Sequence, residues 1–265
     1  MAPWIISHFP LHQIYIEPYG GGGSVLLRKP RSYSEIYNDL AGEIVNLFRV
    51  LRSTSGSAAL QRLVSLTPYA RQEFEQSYFP DADPIEQARR TLFRTAAGFG
   101  GAAFGKYGTG FRTNVTRSYT TPARDWCDMT DIIASVTDRL MGVVIECMDG
   151  LELIAKYDHP DALFYLDPPY LWRTRHSRQA GNAYLEEMDD NQHAALLAQI
   201  VTLKGQVVLS GYDSDFYHDA LPNWSVYRYQ SHTDSKAPRT EVLWVSPGQA
   251  GRQINLFCQQ EAPTP

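Results

Sequence analysis

Several things are scarce in this chain, and each absence narrows what it can be. Cysteine occurs three times in 265 residues, at Cys127, Cys147 and Cys258. That is an odd number with no paired spacing, so it supplies neither a disulfide framework nor a metal template and fits a reducing compartment such as the cytoplasm. The seven histidines show no ligand spacing either, so no metal is expected. No apolar run approaches about 18 residues, which excludes a membrane-spanning helix by the usual length argument. Met1 to Pro10 lacks a basic segment ahead of an apolar core, so no secretory signal is expected. Repeats and low-complexity tracts are missing too. The most informative absence is local: between Gln87 and Arg124 there is no Asp or Glu.

What is present starts from that window. Seven of the 24 basic residues fall inside it, Arg89, Arg90, Arg94, Lys106, Arg112, Arg117 and Arg124, in a chain whose net charge is −5. A cationic segment in an acidic protein is the footprint of a phosphate-contacting surface; the bland alternative is a chance acid-free stretch on a solvated loop. Phe99, Phe104, Tyr107, Phe111 and Tyr119 are interleaved with the basic residues, a mixture suited to phosphate contact together with base stacking or wedging. The length and 43% hydrophobic content suit one large domain, or one domain carrying an insertion.

The periodicities predict an α/β chain. Strands are expected at 14–17, 35–37, 143–145, 163–166, 207–210, 224–229 and 242–245. Helices fall between the first five, and the last two lie in a row, which predicts an antiparallel hairpin. Val25-Leu26-Leu27 reads as the start of a short helix, and 40–52, 130–141, 151–157, 189–203 and 213–220 as helices. Ser53 to Ser57 reads as a breaker cluster. From there to about residue 130, short helical stretches and a glycine- and aromatic-rich segment are too long for a βα connection. The division expected is a catalytic domain of 1–53 and 131–265 and an inserted, mainly helical subdomain of 54–130.

Three strand ends carry chemistry. The first strand, containing Tyr15 and Glu17, runs through Pro18-Tyr19 into Gly20-Gly21-Gly22-Gly23. Glycines there let backbone approach a ligand closely, although a flexible turn explains such a run as well. The second strand ends in Asn38-Asp39, the place where nucleotide-binding folds hold an acid that accepts from a ribose; capping the next helix is the other role open to it. Asp149 follows the third strand. The fourth, Leu163-Phe164-Tyr165-Leu166, is apolar throughout and reads as buried on both faces. It ends in Asp167-Pro168-Pro169-Tyr170. An ionised Asp and a proline carbonyl are both acceptors. Together they can hold the two N–H groups of an exocyclic amine, drawing its lone pair out of conjugation, while the tyrosine offers a face to a flat base. A duplex base must be flipped out to reach such a site. Arg173, Arg175 and Arg178 cluster just beyond.

Glu17 to Gly22, then Asn38-Asp39-Leu40, then Asp167-Pro168-Pro169-Tyr170, in that order, resemble the Dam-type DNA adenine-N6 methyltransferases of alpha motif order. Val45 to Arg52 and Pro238 to Trp244 are similar to the phage and prophage members. The resemblance covers nearly the whole chain and implies a seven-stranded Rossmann-like methyltransferase sheet. It implies S-adenosylmethionine as cofactor, with Tyr15 and Glu17 to Gly22 along its methionine and sugar, Asp39 on the ribose and Asp149 near the adenine. Asp167 and the Pro168 carbonyl would orient the target N6, Pro169 would stiffen the turn and Tyr170 would stack on the flipped base. The implied partner is double-stranded DNA, contacted by the basic residues above together with Asn114, Arg173 and Arg175. A restriction endonuclease is a further partner of such enzymes, and a monomer is expected. The family carries a Gly-Gly-Lys or Gly-x-Lys element shortly before the first strand. Here no Lys precedes Lys29, so weaker cofactor binding than in relatives is expected. Other readings are an RNA or protein amino-group methyltransferase, a nicotinamide or flavin oxidoreductase using the glycine run, and an inactive DNA-binding remnant.

Overall fold

A computed structural model describes residues 1–99, 109–113, 120–170, 188–232 and 238–248. Five parallel strands form the centre of one sheet: β1 (Ile14–Glu17), β2 (Ser34–Asn38), β3 (Val143–Glu146), β4 (Ala162–Leu166) and β5 (Gln206–Tyr212). The terminal hairpin, β6 (Ser225–His232) and β7 (Pro238–Val245), completes seven strands in the order β3-β2-β1-β4-β5-β7-β6. Its strands are antiparallel, as their sequence adjacency predicts, but β7 inserts between β5 and β6. The chain winds outward from β1 in one direction and from β4 in the other. The reversal lies between those two strands, where open α/β sheets leave a ligand crevice at their carboxyl ends.

Alternation along the central strands assigns each side chain to a face. Tyr15, Tyr37, Leu163, Tyr165 and Val208 enter one hydrophobic core, while Ile16, Ile36, Phe164, Leu166 and Leu209 enter the other. The second core is closed by α8 (Gly150–Tyr157), α9 (Asp190–Ile200) and α10 (Asp215–Ala220). Over the first lie α1 (Ala2–Ile6), α2 (Gly42–Arg52), α3 (Thr54–Leu66), α4 (Arg71–Gln76), α5 (Pro84–Ala97), α6 (Pro122–Cys127) and α7 (Met129–Leu140). Among the described residues no helix is long and apolar enough to cross a membrane.

Two local expectations are corrected. Val25–Leu27 does not begin a helix. It forms a single turn in which the Leu27 and Lys29 N–H groups donate to the Gly23 and Val25 carbonyls. The serine-rich cluster at 53–57 is not a break but a helix start: the Ser53 hydroxyl accepts from the Gly56 N–H at 3.2 Å and α3 begins at Thr54. A cap residue signals both. Helix α6 lies within 54–130, where the sequence predicted no helix after 97. The described helices of that region have no core of their own. Leu60, Val64, Phe93 and Trp126 are buried in the same core as Tyr15, Tyr37 and Phe48.

Candidate active site

The crevice is built first from backbone. Asn38, 1% exposed at the end of β2, donates to the Pro18 carbonyl at 2.8 Å and to the Met148 carbonyl at 3.0 Å, and accepts from the Met148 N–H at 2.9 Å. One amide therefore clasps the exits of β1 and β3. The glycine run then folds back on it, with the Gly20 N–H donating to the Asn38 carbonyl. Gly21 and Gly23 have φ of +50° and +62°, a conformation cheap only for glycine. A Cβ on Gly20 would overlap the Tyr37 ring, whose hydroxyl donates to the Gly21 carbonyl at 2.5 Å. At Gly21 and Gly22 a Cβ would meet nothing within 4 Å, so these two residues border open space.

Asp39 ties this loop to the next helix. Its Oδ2 accepts from the Gly21 N–H and its Oδ1 from the Ala41 N–H, both at 2.7 Å. Burial pushes the carboxyl up, against the two N–H groups that hold it down. It is not the N-cap of α2, a position taken by Ala41 without a side-chain bond. Each carboxylate oxygen keeps a second lone pair, so hydroxyls of a ligand can still be bound. Asp149 is an N-cap: it accepts from the Leu151 and Glu152 N–H groups and starts α8. The Tyr19 ring lies against that helix start so closely that a Cβ on Gly150 would come 2.6 Å from it.

Acidic groups converge on the same edge. Glu17 is 2% exposed, and its Oε2 accepts from the Tyr15 hydroxyl at 2.8 Å and the Leu26 N–H at 3.1 Å. Burial pushes its carboxyl up to about 8, and the nearby charge of Asp167 adds to the rise. Asp167 itself is exposed at the mouth, immediately beyond β4, with Pro168 buried behind it. The Tyr170 hydroxyl lies 3.4 Å from both Ser210 Oγ and Glu241 Oε2. Its ring meets Tyr212 edge-on at 4.5 Å and 70°. Burial, then Asp167 and Glu241, raise the Tyr170 hydroxyl well above its ordinary value. Asn38, Ser210, Tyr212 and Glu241 carry no signal in the sequence, because strand register alone brings them to the site. Among the described residues there is no group of three or more His, Cys, Asp or Glu that could hold a metal ion.

The cationic window divides. Arg89, Arg90 and Arg94 were expected on a phosphate-binding surface, and that expectation is overturned. Arg89 pairs with Glu73 at 2.8 Å and Glu86 at 2.7 Å; Arg90 pairs with Asp81 and Glu86, each at 2.8 Å. Arg94, 6% exposed, pairs with Glu43 at 2.5 Å. The acids lie outside the acid-free window in sequence but beside it in space, so these charges are neutralised within the helical packing. Arg112 is anchored through its backbone: its N–H donates to the Ala97 carbonyl, and its carbonyl accepts from the Tyr69 hydroxyl. It follows Phe111, which is bridged to Gly98. Arg124 is exposed on α6. Lys106, Asn114, Arg117, Arg173 and Arg175 lie outside the described residues.

An open side at Gly21–Gly22, a buried carboxyl without a cation bonded to it and an acid on the loop fit an elongated ligand carrying positive charge and hydroxyls. A flat base with an exocyclic amine fits the Asp167–Tyr170 end. Compared with known proteins, residues 1–234 match the model of the D12 class N6 adenine-specific DNA methyltransferases. No curated protein matches the chain.

Proposed function

From the chain's membership of the D12 class N6 adenine-specific DNA methyltransferases, which makes it an S-adenosylmethionine-dependent enzyme methylating adenine N6 in DNA, we propose a residue-level assignment of the reaction. The enzyme is a Dam-type member of phage or prophage kind, acting on double-stranded DNA in the cytoplasm. The observation that carries the assignment is the exit of Asp167-Pro168-Pro169-Tyr170 from β4 beside the β1 glycine loop, at the reversal of strand order.

When bound, the cofactor supplies an electrophilic methyl group. The protein's part is placement. Gly20, Gly21 and Gly22 give backbone access along the cofactor, Asp39 accepts from its ribose, and Tyr19 with Asp149 borders its adenine. Glu17, held by Tyr15, faces its positive end. Asp167 and the Pro168 carbonyl accept the two N6 protons of a flipped adenine and turn the nitrogen lone pair toward the methyl group, while Pro169 fixes the turn and Tyr170 stacks on the base. Orienting two reactants in this way supplies most of the acceleration, with no metal and no covalent enzyme intermediate. Region 54–130 holds the target duplex. Arg112 and Arg124, with Lys106, Asn114, Arg117, Arg173 and Arg175, are its DNA contacts; Arg89, Arg90 and Arg94 are not.

The test is incubation of purified protein with tritiated S-adenosylmethionine and unmethylated duplex DNA, followed by nucleoside analysis. N6-methyladenine is the expected product, and Asp167→Ala should lower its rate by at least about 100-fold. An Asp167→Ala enzyme as active as the unaltered protein would overturn the assignment.

A further inference from the structure

Side-chain alternation places one set of residues on a single face of the sheet at its carboxyl edge. Glu17 follows Tyr15 by two residues, and Ser210 and Tyr212 follow Val208 by two and four; Tyr15, Tyr165 and Val208 all belong to the first core. The antiparallel β7 adds Glu241 to that face. Its register sets Glu241 opposite Tyr212 and Leu243 opposite Ser210, and Leu243 enters the same core. A parallel strand would present its last residues at this edge. β7 runs the other way and presents an early one. Glu241 is 8% exposed and Ser210 5% exposed, so both are polar groups committed to the interior.

We propose that Glu241 is a positioning residue for the target base, acting through Tyr170. This rests on the reading of Asp167–Tyr170 as the base-binding motif. The Tyr170 hydroxyl is set between Glu241 Oε2 and Ser210 Oγ, 3.4 Å from each, and the ring is braced edge-on by Tyr212. Pro169 restricts the backbone just before Tyr170, but the ring still turns about its own side-chain torsions. Acceptors at the hydroxyl end, with an edge contact at the ring, select one plane for it. The plane of Tyr170 determines the plane in which a stacked base lies, and so the direction in which its N6 lone pair points. Burying a carboxylate beside a second acid, Asp167, is costly unless it has such a task. Glu241 touches neither base nor cofactor in this assignment; it orients the residue that does.

The test uses the full-length enzyme and a duplex whose methylated adenine has been located by sequencing reacted DNA, with 2-aminopurine at that position. Glu241→Leu and Tyr170→Phe should each lower kcat by about ten-fold, the size expected for one hydrogen bond to a charged group. Both should weaken the 2-aminopurine fluorescence change on binding. S-adenosylmethionine affinity by calorimetry should stay unchanged. The double variant should fall no further than either single one, because both remove the same contact. Glu241→Gln, which keeps an acceptor oxygen, should recover most of the rate. Multiplicative losses in the double variant, or a Gln variant as impaired as Leu, would overturn the proposal. If Glu241→Leu does not fold, Tyr170→Phe and Glu241→Gln carry the test together: a Tyr170→Phe enzyme with unaltered kcat and fluorescence overturns it. Failure of the underlying assignment is read separately, from an active Asp167→Ala enzyme.

Discussion

Glu17 and Glu35 are the same residue type, on adjacent parallel strands, 2% and 3% exposed. Their surroundings are opposite. Glu35, early in β2, receives two bonds from Arg139 at 2.6 and 2.9 Å, one from Lys29 at 2.6 Å and one from the Ser32 N–H. Burial works to raise its carboxyl, but those donors prevail and hold it below its ordinary value. Glu17, at the end of β1, has a hydroxyl and a backbone N–H as donors and no bonded cation, and burial drives it up to about 8. The amino end of the sheet is thus compensated within the chain. The carboxyl end keeps an acid whose charge is left for a ligand. The same division runs through the arginines: Arg89 and Arg94 are neutralised inside the helical layer, while Arg124 is exposed on α6.

The comparison can be broken most severely at Glu35. Glu35→Ala strands Lys29 and Arg139 as buried cations and should cost about 3–5 kcal/mol in urea unfolding. Arg94→Ala, which leaves Glu43 unpaired, should cost about 3 kcal/mol by the same measurement, with an unaltered salt dependence of DNA binding. Glu17→Gln should barely change stability near pH 6, where Glu17 is already protonated. Its effect is on pH dependence. A carboxyl raised in the folded state contributes its full stability below its ordinary value of 4.5 and loses it as pH rises through about 8. Unfolding curves should therefore show stability falling between those limits in the unaltered protein and a flatter profile in the variant. Calorimetry should show S-adenosylmethionine affinity rising through pH 8 only when Glu17 is present, because a cationic ligand favours the ionised form. The smallest change sharpens the arginine contrast: Arg112→Ala should leave stability intact and lower the logarithmic salt slope of DNA binding by about 1.

The strands were legible because their patterns are strong. Leu163 to Leu166 is apolar at every position, as a strand covered on both faces must be, and all four side chains are buried. The antiparallel hairpin followed from the lack of any helical stretch between β6 and β7. Asp167–Tyr170 stood out because two prolines after a buried strand have few other uses. The Arg89–Arg94 segment misled because charge was counted along the chain. Glu43 and Glu73 lie 51 and 16 residues away from the arginines they neutralise, Arg94 and Arg89, and only helix packing brings them together. Ser53 misled because serine favours both turns and helix caps, and the packing of the next dozen residues decides between them.

The sequence by itself determined the fold class, the glycine loop and the motif beyond β4, since each depends on periodicity or on residues next to one another. Only the tertiary structure decided which charges are structural and which remain for a ligand. It also decided that Asn38 clasps two strand exits and that Glu241 reaches Tyr170 across 71 residues of chain. The physical reason is that strand register and direction are set by the whole sheet, and a single residue's slip would turn each of these side chains to the opposite face.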